Sequence, residues 1–98
     1  MQSDLYWVYI LSSMTRVLYT GCTSDVRRRM YQHKNGLMPG FTKRYSVTRL
    51  VWYDFSPNVA AVVAREREIK GCSREKKIRL IEGTNGGWAN LAADWFRA

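Results

Sequence analysis

The chain has 98 residues with 16 Lys+Arg against 8 Asp+Glu, a formal net charge of +8 and a pI near 9.9. That length holds one domain, 1–98, and 46% hydrophobic with 13% aromatic residues supplies a core, which excludes wholesale disorder. No run of about 18 uncharged apolar residues exists, so no membrane span is expected, and the excess of base points to a polyanionic partner.

Leu5 to Leu11, rich in aromatic and β-branched residues, predicts a first strand. Ser12 to Arg16 is a short polar connection, and Val17 to Thr20 predicts a second strand ending at Gly21. So short a link implies an antiparallel hairpin. Ser24 or Thr23 caps a helix running to about Lys34, with Asp25 complementing its dipole and Asn35-Gly36 stopping it. Leu37 to Tyr45, with Pro39, Gly40, Lys43 and Arg44, reads as a basic loop. Val47 to Phe55 returns to strand character. A helix from Val59 to Lys70 ends at Gly71, and a third, capped by Ser73, runs to about Glu82 before Gly83. The tail, with Trp88 and Trp95, is expected to pack back on the body with a terminal turn of helix. The order β-β-α-β-α-α gives an α+β fold with a small, largely antiparallel three-stranded sheet flanked by helices.

The charge is uneven. Residues 1–49 hold eight Lys/Arg and two acids, whereas residues 50–98 hold eight bases and six acids. Nucleic acid is the first polyanion to consider, beside an acidic protein or membrane surface. Cys22 and Cys72 stand 50 positions apart without a CxxC or Cys/His cluster, so reduced thiols in a cytoplasmic protein are expected and zinc is not. Met1 to Asp4 lacks the basic and apolar pattern of a secretory leader.

Three placements depart from a plain core. Val26, Arg29, Met30 and His33 fall at i, i+3, i+4 and i+7 and so share a helix face. Arg29 and His33 lie at its margin, either snorkelling and satisfied or chemically active, while Arg27 and Arg28 turn toward solvent. Glu66 sits in the apolar stripe made by Val59, Val62, Val63 and Ile69. A carboxylate there needs a base, a hydrogen bond or a cation, so it is a salt-bridge partner, a metal ligand or a catalytic acid. Tyr9 and Tyr19 pack as ordinary strand tyrosines unless the hairpin brings both hydroxyls toward Arg29 and Glu66.

Together these residues resemble the GIY-YIG nuclease domain. Trp7-Val8-Tyr9 corresponds to its first motif, with Trp in the place of Gly, and Tyr19-Thr20-Gly21 to its second. Ten-residue steps separate Tyr9, Tyr19 and Arg29. His33 stands at the R-x3-H position, Glu66 at the acidic position of the later helix, and Asn85 near the domain end. The runs Gly40 to Tyr45 and Arg49 to Tyr53 look most like those of small stand-alone bacterial members. The resemblance implies a divalent-metal-dependent endonuclease hydrolysing phosphodiester bonds in DNA with little sequence preference, and exposed aromatics such as Tyr45, stacking on unpaired bases, would favour single-stranded or branched DNA. It implies one Mg²⁺ or Mn²⁺ held by Glu66. Tyr9 is then the candidate general base, or the residue that orients the water, Tyr19 positions water or phosphate, and Arg29 meets transition-state charge. His33 bonds the phosphate or relays the proton. Lys43, Arg44, Arg27 and Arg28 are expected to grip flanking phosphates, Tyr45 to stack on bases, and Asn85 to touch substrate. The alternatives are a non-catalytic nucleic-acid-binding module on the same fold and a basic protein that binds an acidic partner.

Overall fold

The computed structural model describes residues 4–96. Its elements are β1 (Tyr6–Ser12), β2 (Leu18–Thr23), α1 (Val26–Lys34), α2 (Phe41–Arg44), β3 (Arg49–Ser56), α3 (Val59–Lys70) and α4 (Arg74–Thr84). The three strands form one antiparallel sheet in the order β2-β1-β3. The α+β architecture with flanking helices is therefore the one predicted, with α2 as an additional single turn.

Alternation along β1 divides the core in two. Val8 and Ile10 face α3 and α4, packing with Val62, Ile69, Ile81 and Trp88. Tyr9 and Leu11 face the other way, against Val26 and Met30 of α1 and Ala92 of the C-terminal segment. Between Ile10 and Leu11 the β1–β3 register slips by one residue, because Ile10 pairs with Trp52 whereas Leu11 pairs with Leu50. Val51 is the extra residue of this bulge, so it and Trp52 both enter the α3–α4 core.

Several boundaries differ from expectation for identifiable reasons. β2 does not end at Gly21 but runs to Thr23, because Gly21 and Cys22 keep their pairing with Tyr9 and Val8. Asp25, not Thr23 or Ser24, caps α1, its carboxylate accepting the Arg28 N–H at 3.0 Å. The 37–45 segment is not wholly loop. Gly40 takes φ +100°, a conformation open chiefly to glycine, and starts the single turn of α2. α4 continues through Gly83 and is capped at Asn85.

The C-terminal segment packs back as expected, but residues 91–96 form consecutive turns rather than a helix. Buried Asn85 anchors that segment. Its amide nitrogen donates to the Val51 and Ala89 carbonyls at 3.1 and 2.9 Å, and its amide oxygen accepts the Ala89 N–H at 3.0 Å. Trp88 is fixed beside it by a 2.7 Å bond to the Glu82 carboxylate and by the Arg16 guanidinium over its ring.

Candidate active site

The site begins with a missing side chain. Tyr9 stands directly opposite Gly21 in the β1–β2 register. A Cβ on Gly21 would lie 2.6 Å from the Tyr9 hydroxyl and 2.8 Å from Cζ. The Tyr9 ring therefore lies over the Gly21 backbone, and only glycine permits it. Gly21→Ala is expected to displace the Tyr9 ring, costing about 1–3 kcal/mol as an overpacking change, which denaturant unfolding measures directly.

Over that glycine Tyr9 meets α1. The Tyr9 hydroxyl and His33 Nε2 are 3.3 Å apart, and both residues are buried. His33 Nδ1 lies 3.1 Å from the Thr42 hydroxyl on α2. Tyr19 closes the group, its ring centroid 6.5 Å from Tyr9 and 5.8 Å from His33. Arg29, one turn before His33 and half-buried, bears on Tyr9 through its charge. Tyr9, Tyr19, Arg29 and His33 thus share one cluster.

Glu66 reaches the same region from the opposite face of the sheet. α3 packs on the Val8 face, where Cys22 of β2 is also turned, and the Glu66 carboxylate bears electrostatically on the Cys22 thiol. Arg29 acts electrostatically on this thiol as well. Because β2 is an edge strand, groups from both faces can meet beside it. Glu66 is largely shielded and is paired with Lys70 at 3.4 Å, a lysine one turn on rather than a core arginine.

The charges of the free protein are well defined. Burial, reinforced by Tyr19, pushes the Tyr9 phenol up to about 12, against the opposing pull of Arg29. Burial and then the Arg29 charge pull His33 down to about 4. The neutral pair is therefore the stable one. The net effect of the surroundings is not to favour a standing phenolate. Burial pushes the Cys22 thiol up, and the Glu66 carboxylate adds to that, so the thiol is no ready metal ligand.

His33 also gives the fold a pH dependence. Its value falls from 6.5 unfolded to about 4 folded, so between these limits the unfolded chain binds the extra proton. Stability is full above about pH 6.5 and declines as pH falls through 4, by about 3 kcal/mol in all. In His33→Gln that part of the acid loss should vanish, as thermal unfolding of both proteins between pH 7.5 and 4.5 would reveal (limits set by the roughly 6.5-to-4 window).

Outside the cluster the basic residues divide. Phe41 stacks on Tyr19 with centroids 6.3 Å apart and meets Tyr45 at 4.9 Å. The Arg44 guanidinium lies over Tyr45 at 5.5 Å, and Lys43 is exposed on the same turn. A strip of aromatic and basic side chains therefore leads outward from Tyr19. Arg28 joins Arg29, Gln32 and Thr23 around a shallow cavity of about 280 Å³.

Two predicted contact residues are placed elsewhere. Arg27 donates to the Trp95 carbonyl and lies over Phe96, so it holds the C-terminal segment rather than the site. Asn85 is buried, with both its amide atoms committed to backbone, so it cannot offer them to substrate. Conversely, sequence reasoning missed Thr42, Phe41 and the electrostatic coupling of Cys22 to Glu66. Phe41 and Thr42 lie within the Gly40 to Tyr45 run, which was the available signal.

Among the described residues no group of three or more His, Cys, Asp or Glu side chains could hold a metal. The donor set fits one weakly held hard cation on Glu66, its shell completed by water and substrate oxygens, and not a closed cage. Among the described residues no helix is long and apolar enough to cross a membrane.

Comparison with known proteins agrees with the geometry. Residues 5–79 match the GIY-YIG catalytic domain. The chain is 38% identical over 80 residues to a UPF0213 protein of Haloquadratum walsbyi, covering 82% of this chain and 90% of that protein. It is 35% identical over 78 residues to a UPF0213 protein of Staphylococcus saprophyticus, covering 80% and 95%. Its fold is similar to the solution NMR structure of a UPF0213 protein from Bacillus halodurans. The TM-score is 0.59 and the identity 31%, with 96% of this chain and 99% of that chain covered.

Proposed function

The chain belongs to the GIY-YIG family, and we propose that it is a cytoplasmic, divalent-cation-dependent endonuclease that hydrolyses DNA phosphodiesters with little sequence preference. The observation that carries this reading is the convergence of Tyr9, His33 and Arg29 on one side of β2 with Glu66 beyond Cys22. A nucleic-acid-binding module has no need of a shielded carboxylate beside its phosphate surface, where a like charge repels the backbone.

Glu66 is the residue that would hold one Mg²⁺ or Mn²⁺, which when bound would supply Lewis-acid stabilisation of phosphoryl charge. The chain's own groups do the rest. Arg29 presents a planar guanidinium to the extra negative charge of the pentacovalent transition state. Tyr9 acts as a relay rather than a standing phenolate. It takes a proton from the attacking water as it passes its own to His33 Nε2, so no free phenolate has to persist. An anionic phosphate beside Arg29 offsets one of the two causes that hold His33 low, which raises the imidazole's basicity when substrate is present. Tyr19 orients the water or the phosphate through its hydroxyl.

Arg28, Lys43 and Arg44 hold flanking phosphates without reading sequence. The strip of Phe41 and Tyr45 favours unpaired bases, which stack on exposed rings. The reading is tested with end-labelled single-stranded, duplex, flap and RNA substrates at low salt, each with Mg²⁺, Mn²⁺ or EDTA. It predicts cation-dependent internal cleavage, strongest on single-stranded or flap DNA. Salt-sensitive retention of DNA without cleavage under either cation would instead make the chain a binding module, and absence of retention would point to an acidic protein partner.

A further inference from the structure

We propose that Thr42 is a positioning residue: its hydroxyl accepts the Nδ1–H of His33 and so keeps Nε2 free to take the Tyr9 proton. This deepens the nuclease reading and rests on it for its catalytic consequence, but the tautomer itself does not depend on any activity.

The inference follows from counting donors and acceptors. Tyr9 Oη lies 3.3 Å from Nε2, and Arg29, whose charge also bears on the phenol, has only donors. Among the described residues Nε2 is therefore the acceptor that the phenol O–H has. A neutral imidazole accepts at one nitrogen and donates at the other. With Nε2 accepting, the ring proton is on Nδ1, and Nδ1 points at Thr42 Oγ1 at 3.1 Å. The opposite assignment would leave the proton of the fully buried phenol without an acceptor, whereas the proposed one leaves only the hydroxyl proton of Thr42, which is 5% exposed against 0% for Tyr9, to find solvent.

Thr42 is buried, yet its neighbours Phe41, Lys43 and Arg44 are exposed on the same turn of α2. The segment that offers rings and charge to the substrate is thus the one that supports the imidazole. During the relay the proton moves from Tyr9 Oη to Nε2, giving an imidazolium whose Nδ1–H remains on Thr42, while the water's proton restores the phenol. No other reactant is required.

His33 is the only histidine in the chain, so nitrogen NMR of the ¹⁵N-labelled protein reads its tautomer without overlap. The unaltered protein at neutral pH should show a protonated Nδ1 and a bare Nε2. Thr42→Val keeps the side-chain shape but removes the acceptor. It should shift the population toward Nε2–H by about 10-fold or more, as expected for stranding a buried N–H. The accompanying loss in kcat should be about 100-fold with KM little changed, in the range of a removed acid–base contribution. Thr42→Ser should restore both the tautomer and the rate. A proton on Nε2 in the unaltered protein overturns the proposal, as does an unchanged tautomer in Thr42→Val. If no variant or parent cleaves DNA, the nuclease reading fails while the spectra still decide the assignment of Thr42.

Discussion

Glu66→Gln is expected to lower cation-dependent cleavage by about 10³-fold or more while leaving the fold and DNA retention intact. The magnitude corresponds to the several kcal/mol of transition-state charge stabilisation that a bound cation supplies. The substitution is nearly isosteric, and what it removes from the free protein is a partly exposed pair with Lys70. Such pairs contribute less than about 1 kcal/mol. Removing a negative charge beside the phosphate surface should, if anything, tighten retention of DNA when no cation is present. Single-turnover cleavage, filter retention and thermal unfolding together separate these effects. Equal cleavage by the two proteins would remove Glu66 from the site.

The second large effect is expected at Arg29. Arg29→Ala should reduce the single-turnover rate by about 10²–10³-fold, the usual consequence of deleting one preorganised donor at a developing anion. Arg29→Lys should recover little, because an ammonium does not reproduce the planar fork. Arg29 also helps to hold His33 low and opposes the rise at Tyr9. Its loss should therefore move the His33 titration upward toward 6.5, a shift the same nitrogen spectra would record in the absence of substrate. A purely structural role for Arg29 would lower stability without this shift. If Arg29→Ala cleaves at the parent rate, the positive charge near Tyr9 is not used in the chemistry.

Much of the architecture was legible because local signals and packing agree. Asn58 and Gly71 bound α3, and Val62 and Ile69 bury its stripe, so the Val59–Lys70 prediction coincides with the observed helix. Spacing put Arg29 and His33 on one helix face but left Tyr9 and Tyr19 as ordinary strand tyrosines, and it was the resemblance to the GIY-YIG domain that grouped the four. Glycines were less reliable guides to boundaries. Gly21 lies inside β2 because a neighbouring ring needs its space, not because the chain turns there. Gly83 lies inside α4 because Asn85, engaged by Val51 and Ala89 from outside the helix, sets the end.

What could not be read was the direction of individual side chains over long separations. Arg27 and Arg28 are neighbours in sequence, yet one ties down Trp95 and the other borders the cavity beside Arg29. Thr42 gave no signal of its own, because its importance lies in meeting a ring nine residues earlier in the chain. The coupling of Cys22 to Glu66 exists only because α3 packs on the face of the sheet that Cys22 shares. Each is a tertiary relation, and local pattern does not encode it.

The most direct measurement is single-turnover cleavage of one end-labelled single-stranded DNA, first in EDTA and then after Mg²⁺ or Mn²⁺ is added back, with the parent and Glu66→Gln chains side by side. The cluster around Tyr9 predicts no cleavage in EDTA, recovery with either cation in the parent, and no recovery in Glu66→Gln. Cleavage by the parent that persists in EDTA, or recovery in Glu66→Gln equal to that of the parent, would contradict it.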